Sequence, residues 1–315
     1  MTFSNRILIT GGSGFIGMHL LNKLLIDSYQ IACIDLFYNQ AYIKKYGNRV
    51  QLFTGDLLDK NFLNSCMVDF APNYVYHLAG SKSRTNTISE FKTSNEINYL
   101  GTLNLFESLL ACPDLKLVTI LGTIEEYGNT DSPFIENSRE LPNSAYGLSK
   151  LSATKLAMIF NQQFKFPVVV MRPSIVFGPN QGIDMFIPAL IKALLTNHNF
   201  KMTEGYQLRD FIYIEDLTDA LIKVLICNGL EGEIINIASG FSIKIKDIAL
   251  QIAGLIKNTD NLKFGELPYR DSEIMEYAVD IFKASKLLQW HPKIKLSDGL
   301  KKTIEFYQKD LKDET

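Results

Sequence analysis

The stretch at residues 6–24, RILITGGSGFIGMHLLNKL, constrains the fold most, because a short apolar strand runs through a glycine turn directly into an amphipathic helix. Gly11, Gly12, Gly14 and Gly17 let the backbone turn tightly, approach a phosphate closely and pack the helix against the strand. The free N–H groups of the first helical turn attract anions. The segment therefore predicts a phosphate cradle for a dinucleotide, and a turn that only packs the helix is the alternative.

A second predicted strand, at 30–34, ends at Asp35, which lies about 20 residues beyond the glycines, where a carboxylate can bind the hydroxyls of an adenosine ribose. This order of strand, turn, helix, strand and acid favours cofactor binding over simple packing. Asp35 would repel a 2′-phosphate, and the next three residues, LFY, supply no cation. NAD(H) is therefore predicted, while NADP(H) stays open because a nearby loop could supply a positive charge.

Composition narrows the class of protein. The chain has 315 residues and 46% hydrophobic content, enough for a large core in one large or two smaller domains. Its net charge is −2 and its basic residues are scattered, which argues against a nucleic-acid partner. No apolar run reaches the ~18 to 20 residues of a membrane span, and the first strand begins too early for a cleavable leader, so we expect a cytoplasmic protein without a membrane partner.

Cysteine and histidine positions predict no metal site. The four cysteines are far apart without a CxxC pair, and none of the four histidines stands at ligand spacing from another ligand type. Reduced thiols and ordinary histidine packing are the expected states.

Alternating strands and helices predict an α/β fold, a doubly wound parallel sheet (Rossmann) with a smaller C-terminal substrate lobe. Residues 1–175 plus about 208–240 are assigned to the NAD-binding domain, and about 176–207 plus 241–315 to the lobe. The predicted strands are 6–10, 30–34, 50–53, 74–77, 116–121, 168–171 and 233–237, and the predicted helices of the first half are 15–27, 59–70, 94–111 and 145–163.

The segment YGLSK at 146–150 carries the candidate chemistry. Tyr146 and Lys150 are four residues apart at the start of a predicted helix, so both project from one face. There the ammonium can lower the pKa of the phenol and hydrogen-bond a ribose hydroxyl, and the phenol can transfer a proton. Thr123, at the end of a predicted strand, could hold a carbonyl oxygen beside Tyr146. A solvated pair on the helix surface is the alternative.

An ordered set of motifs resembles the extended short-chain dehydrogenase/reductase family, in its NAD-dependent nucleotide-sugar epimerase, dehydratase and reductase branch. The matching segments are TGGSGFIG in the first turn, GDLLD at 55–59, YHLAG at 76–80, NYLGTLNLFE at 98–107, LGTIEEYG at 121–128, YGLSK at 146–150, RPSIVFGP at 172–179, RDFIYIEDL at 209–217 and LLQWHPK at 287–293.

The resemblance implies a catalytic triad of Thr123, Tyr146 and Lys150. With the glycine turn and the acid after the second strand, it assigns cofactor contacts to Gly11, Gly14, Phe15, Ile16, Gly17, Asp35, Asp56, Leu57, Ala79, Tyr146 and Lys150. It also implies a homodimer held by a four-helix interface near 90–95 and the helix of Tyr146. Five leucines could supply its apolar surface or could face the sheet instead: Leu100, Leu103, Leu105, Leu109 and Leu110.

Two arginines match family positions that clamp the diphosphate of an activated sugar, a task suited to a planar charged fork. They are Arg209 and Arg270. The alternative is a local salt bridge, from Arg209 to Asp210 or Glu215, and from Arg270 to Asp271 or Glu273. Where many relatives carry Asn after the Arg-Pro pair, this chain has Ser174 and Ile175, which leaves the contacts near the diphosphate or base open.

The turn after Thr123 separates activities within the family. In 4,6-dehydratases an Asp-Glu pair follows the Thr, whereas here Ile124 stands at the Asp position and only Glu125 remains. An aliphatic side chain cannot donate a proton, so a standard dehydratase is disfavoured. Glu125 could be an acid, a base or an anchor for a sugar hydroxyl, or Glu125 and Glu126 could merely cap the loop. The pattern GTxEEYG resembles reductases of 4-keto-6-deoxy sugars.

The sequence thus predicts reduction of an NDP-4-keto-6-deoxyhexose at C4 by NADH, with Tyr146 as the proton donor. The alternative is an NAD-dependent NDP-hexose 4-epimerase, which uses the same residues around a transient 4-ketone. A dehydratase or decarboxylase is disfavoured, and a non-catalytic dinucleotide sensor would be expected to lack Tyr146 or Lys150.

Overall fold

The structure, a computed structural model, describes residues 5–82, 86–270 and 273–313. The strands are β1 (Arg6–Thr10), β2 (Gln30–Asp35), β3 (Gln51–Thr54), β4 (Tyr74–His77), β5 (Leu117–Leu121), β6 (Val168–Pro173), β7 (Ile175–Phe177), β8 (Phe200–Lys201), β9 (Leu208–Tyr213), β10 (Ile234–Ile237), β11 (Ser242–Lys244) and β12 (Leu262–Lys263). The helices are α1 (Phe15–Leu24), α2 (Gln40–Tyr46), α3 (Lys60–Phe70), α4 (Ile88–Asn95), α5 (Gly101–Leu109), α6 (Ala145–Phe164), α7 (Phe186–Leu195), α8 (Ile214–Lys223), α9 (Ile245–Ile256), α10 (Phe282–Leu288) and α11 (Leu296–Asp313).

The central sheet has seven strands in the order β3-β2-β1-β4-β5-β6-β10, and all neighbouring pairs are parallel. The strand order reverses beside β1, so a crevice opens at the carboxyl ends of β1 and β4. The predicted strands coincide with these seven to within a residue or two at each end. The predicted doubly wound Rossmann sheet is confirmed.

Alternate residues of each central strand face opposite layers of core. Ile7 and Ile9 of β1 belong to one hydrophobic cluster, whereas Leu8 belongs to the cluster on the other face of the sheet. Strands β5 and β6 are buried along their whole lengths. Helices cover both faces of such a sheet, which explains why its strands are continuous apolar runs.

The helix predicted at 94–111 is two helices joined by a π-helical turn, Glu96–Leu100. Helix α4 begins earlier than predicted because Thr87 and Glu90 form a capping box at its start. Leu105 and Leu109 of α5 are fully buried in the core, so they face the sheet and are not available to a partner. Leu100 and Leu110 remain substantially exposed, and Leu103 is partly buried.

Two smaller sheets accompany the central one. Strand β9 lies between β7 and β11, and β8 pairs with β12. Helices α7, α9 and α11 pack together beside them, whereas α8 packs against α1. The division of the chain into two domains stays a prediction.

The described residues include neither a membrane-spanning helix nor a cluster of metal-binding side chains. No helix there combines the length and apolar character needed to cross a membrane. Nor do His, Cys, Asp or Glu side chains gather there in a group of three or more that could hold a metal ion. The four cysteines are free thiols, and all but Cys227 are buried.

Candidate active site

The glycine turn after β1 is shaped for close approach by a ligand. Gly11 has a φ of +72°, and a β-carbon there would lie 2.7 Å from the Ala79 nitrogen. A β-carbon on Gly17 would lie 2.2 Å from the Gly11 oxygen. Asp35 stands beside this turn, because Ser13 donates to its carboxylate. A bare backbone surface next to a carboxylate at the end of the second strand fits a dinucleotide.

The other predicted cofactor residues follow the same edge of the sheet. Phe15 and Ile16 are partly buried in the first turn of α1. Asp56 is exposed after β3, where its Oδ1 accepts a hydrogen bond of 2.9 Å from the Leu58 N–H, and Leu57 is buried beside it. Ala79 follows β4, and its N–H donates to the Thr10 hydroxyl over 3.3 Å.

Thr123 is held by a tight turn at the end of β5. Its Oγ1 accepts a hydrogen bond of 3.3 Å from the Glu125 N–H, while its own N–H donates to Glu126 Oε1 over 2.9 Å. These two bonds form a capping box around the 3₁₀ turn Ile124–Glu126. The Thr123 hydroxyl oxygen therefore already accepts one hydrogen bond, and the hydroxyl proton is available for donation to a second acceptor.

Tyr146 meets Thr123 at the start of α6. Ser144 caps this helix by accepting a 2.9 Å hydrogen bond from the Gly147 N–H. The Thr123 side chain lies close enough to the Tyr146 phenol to act on its ionisation. Burial raises the pKa of Tyr146 most, the nearby carboxylates of Glu125 and Glu126 raise it further, and Thr123 lowers it by a smaller amount. The net shift is upward, so the lowering of the pKa by Lys150 that the sequence suggested is not seen.

Lys150 lies one turn further along α6. Burial lowers the pKa of Lys150 to about 8, against the opposing effect of the Glu126 carboxylate. A β-carbon built on Gly80 would be 3.9 Å from its Nζ, which places the ammonium at the end of β4. His77 is close enough for the lysine charge to act on it, and burial together with that charge lowers the pKa of His77 to about 3. His77 is therefore neutral and packs in the interior.

Asn98, on the π-helical turn, joins the loop after β4 to α6. Its side chain accepts a bond of 2.8 Å from the Ser81 N–H and donates to the Ser81 oxygen and to Ser149 Oγ, each over 2.9 Å. Sequence reasoning missed this residue. The available signal was an asparagine in the apolar helix NYLGTLNLFE, since π turns recur at functional sites.

Glu125 is the carboxylate of the turn that faces the candidate site. Ser144 Oγ donates to its Oε2 over 3.2 Å. Burial raises the pKa of Glu125, whereas Ser144 and the charges of Arg209 and Arg270 lower it by smaller amounts. Both predicted diphosphate arginines therefore act on the same side chain that lies beside Tyr146.

Arg209 is fixed by a segment far away in the sequence. Its Nη1 donates to the Leu208 and Ile274 oxygens, each over 2.7 Å, its Nη2 pairs with Glu273, and its guanidinium lies 4.5 Å from the centre of the Tyr277 ring. The proposed local partners, Asp210 and Glu215, are occupied elsewhere.

Asp210 accepts hydrogen bonds from Ser174 Oγ and from the N–H groups of Ser239 and Phe241. Glu215 pairs with Lys302. The Ser174 hydroxyl, at the position where many relatives have Asn, thus holds Asp210. Arg270 is exposed, and Asp271 lies outside the described residues.

Ile124 is buried in an apolar cluster. Its side chain is 2% exposed and belongs to a small cluster with Tyr127, Phe134 and Tyr277. Glu126 is also buried, where it pairs with Arg172. Of the three residues in the turn, Glu125 is the one whose carboxylate is acted on by both Arg209 and Arg270.

Comparison with known proteins identifies the family and the fold. The model of the NAD dependent epimerase/dehydratase family matches residues 7–238. The chain belongs to this family. Family membership confirms the resemblance seen in the sequence, the enzyme class and NAD as the cofactor.

Relatives of this family match along almost the whole chain. dTDP-D-glucose 4,6-dehydratase from Homo sapiens is 30% identical over 98% of this chain and 91% of that protein. UDP-N-acetyl-alpha-D-glucosaminuronate decarboxylase from Bacillus cytotoxicus is 28% identical over 96% of this chain and 98% of that protein. The crystal structure of UDP-glucuronic acid 4-epimerase from Bacillus cereus, in complex with UDP-glucuronic acid and NAD, has a TM-score of 0.89 at 30% identity, covering 96% and 99% of the two chains. Family members thus catalyse several reactions on related substrates.

Proposed function

We propose that this enzyme reduces the C4 ketone of a nucleoside-diphosphate 4-keto-6-deoxyhexose. The observation that carries the proposal is the approach of the Thr123 side chain to the Tyr146 phenol, beside Lys150 at the carboxyl edge of the sheet. A proton donor and a second hydroxyl there can meet one carbonyl oxygen. NADH, when bound at the glycine turn, supplies the hydride for C4.

The chain's own residues supply the proton and the positioning. Tyr146 gives its phenolic proton to the C4 oxygen as negative charge develops there, and Thr123 donates a hydrogen bond to the same oxygen. Lys150, one turn along the same helix, is proposed to hold a ribose hydroxyl of the cofactor beside the phenol. Hydride and proton together convert the ketone to an alcohol.

The remaining charges suit the rest of the substrate. Arg209 and Arg270, which act on Glu125, are proposed to bind the diphosphate. Glu125 is proposed to bind a sugar hydroxyl or to share in proton transfer.

A dehydratase reaction has less support, although several relatives are 4,6-dehydratases. Elimination of water needs an acid and a base near C5 and C6, and the turn offers Glu125 beside a buried aliphatic Ile124. The pattern LGTIEEYG favours reduction by its resemblance to 4-keto-6-deoxy sugar reductases.

The second candidate is an NDP-hexose 4-epimerase, favoured by the full-length likeness to the UDP-glucuronic acid 4-epimerase structure. In that reaction Tyr146 removes a proton from the C4 hydroxyl and later returns it. The same three residues serve both reactions.

Cofactor consumption separates the two candidates. Purified protein is incubated with NADH and a panel of NDP-4-keto-6-deoxyhexoses, and separately with NDP-hexoses and catalytic NAD. We expect stoichiometric loss of NADH with a keto sugar and its absence in the Tyr146→Phe variant. Interconversion of C4 epimers without net NADH loss would instead establish the epimerase.

We further propose a cytoplasmic homodimer formed through the exposed side chains of Leu100 and Leu148. Leu148→Glu would then lower the mass measured by light scattering. Val68→Glu, at an exposed position on α3, is the matched control.

A further inference from the structure

A buried ion pair lies directly behind the turn that carries Thr123. Arg172 and Glu126 are both fully buried, with Nε to Oε2 at 2.9 Å and Nη2 to Oε2 at 2.7 Å. The other oxygen of Glu126 accepts the Thr123 N–H over 2.9 Å. One carboxylate thus connects a strand of the central sheet to the backbone of a proposed catalytic residue.

Several contacts fix Arg172 in place. Its Nη2 also pairs with Glu140 Oε1 at 3.0 Å, and its guanidinium lies 4.7 Å from the centre of the Tyr127 ring. The Tyr127 hydroxyl in turn donates to Asn236 Oδ1 over 2.7 Å. Glu126 therefore accepts bonds from a rigid donor on one side and from Thr123 on the other.

Stability alone is a poor reason for such a pair. Removing two charges from water costs about as much as their attraction returns, and a well-packed apolar pair is often equally stable. A positional role is the better reason, because the carboxylate determines where the Thr123 backbone lies, and with it the direction of the hydroxyl that meets Tyr146.

We propose that Glu126, held by Arg172, is a positioning residue that keeps the Thr123 hydroxyl aligned with the Tyr146 phenol at the reacting oxygen. The inference rests on the proposed function in so far as Thr123 and Tyr146 act on that oxygen. Glu126 is fully buried and acts through Thr123.

The same carboxylate acts electrostatically on the site. The charged groups that face Tyr146 are Glu125 and Glu126, those near Lys150 are Glu126 and the neutral His77, and Arg209 and Arg270 act on Glu125. Glu126 raises the pKa of both Tyr146 and Lys150. Removing its charge therefore lowers both pKa values. In a plot of kcat against pH, the limb that reports the ionisation of Tyr146 or Lys150 then moves to lower pH.

Two substitutions separate position from charge. Glu126→Gln removes the charge, so the alkaline limb moves to lower pH. In Glu126→Gln/Arg172→Met the competing guanidinium donors are gone and the amide oxygen is free to accept the Thr123 N–H, so kcat of this double variant at its optimum stays near wild type. Glu126→Met removes the oxygen as well, and kcat should fall about 10- to 100-fold with an unchanged KM, as expected for a misplaced catalytic group. Profiles are measured on whichever nucleotide sugar the wild type converts.

Glu140→Gln is the matched control, because it removes the other carboxylate on Arg172 without contacting Thr123. It should leave the limb and kcat unchanged. A shift as large as that of Glu126→Gln, a Glu126→Gln profile that superimposes on wild type, or a Glu126→Met variant with full kcat would each overturn the proposal.

Folding is checked by NADH affinity, and Glu126→Gln/Arg172→Met removes both buried charges in case the single variants unfold. We expect this double variant to bind NADH and to show the limb at lower pH. Loss of NADH binding in every Glu126 variant would make the pair a requirement of the fold itself and would overturn the positioning role.

A readout without turnover distinguishes this inference from the proposed reaction. Tyrosinate absorbance of the NAD-bound protein is titrated with and without Tyr146→Phe, and the difference isolates Tyr146. Ionisation at lower pH in Glu126→Gln supports the inference even if the wild type reduces no keto sugar, and an unchanged titration counts against it even if it does.

Discussion

One carboxylate oxygen of Asp35 accepts two hydrogen bonds from Ser13, over 3.0 Å from its N–H and 2.6 Å from its hydroxyl. The other oxygen accepts a 2.9 Å bond from the Leu36 N–H. The end of β2 is therefore tied to the glycine turn, and the acid that should recognise ribose also orders the phosphate cradle. We therefore expect cofactor choice and cofactor affinity to depend on the Asp35 side chain.

Asp35→Ala should weaken NADH binding by about 10- to 100-fold, because hydrogen bonds to a charged group contribute about 1.5–3 kcal/mol. The affinity for NADPH should fall less, because its 2′-phosphate no longer meets a carboxylate. The ratio of the two dissociation constants, which measures the preference for NADH, should therefore become smaller. Fluorescence titration measures both dissociation constants. Ser13→Ala, which keeps the carboxylate, should retain the preference, and a preserved preference in Asp35→Ala would contradict the assignment.

The two arginines should differ when each is replaced by alanine. Arg270 is exposed, so Arg270→Ala should raise KM for the nucleotide sugar by about 10- to 100-fold without changing the thermal midpoint. Arg209→Ala should raise KM and also lower the midpoint, because Arg209 holds the Ile274 oxygen and Glu273 in place. Kinetics and calorimetry on the same preparations test this. An unchanged KM in both variants would remove the diphosphate role.

The fold was predictable because its signals are local. Each central strand is a short apolar run bounded by turn residues, and the glycine turn with Asp35 defines where the sheet begins its winding. The start of helix α4 was not predicted, because it depends on a capping box formed by Thr87 and Glu90. A pattern of apolar residues does not show such a box.

Long-range partners could not be predicted from the sequence. Arg209 pairs with Glu273, 64 residues away, and not with the acids next to it in the chain. Glu126 could be read as a capping residue, and it is one, but its pairing with Arg172 requires β5 and β6 to be neighbours with known register. Side-chain pairing across a sheet follows from tertiary structure alone.

The ionised Glu125 carboxylate should lower the stability of the fold at neutral pH. Its folded pKa is raised by burial, so the neutral form is favoured in the fold, and stability falls as pH rises from the ordinary glutamate range through the folded pKa. At neutral pH, Glu125→Gln should therefore raise the free energy of unfolding by about 0.5–2 kcal/mol, as other stabilising substitutions do. Urea denaturation measures this difference. The gain should vanish at acidic pH. A gain that does not depend on pH would require another cause.

Tyr146→Phe is the most direct test of the site. Phenylalanine keeps the ring and its packing at the start of α6 but removes the phenolic proton, so turnover should fall at least about 10²- to 10⁴-fold, the range for lost general acid catalysis. NADH affinity should stay close to wild type, because the glycine turn and Asp35 are untouched. Stopped-flow hydride transfer and equilibrium NADH titration on one sample separate the two effects. Retained turnover would place the proton donor elsewhere, with Glu125, which lies beside Tyr146, as the next residue to replace.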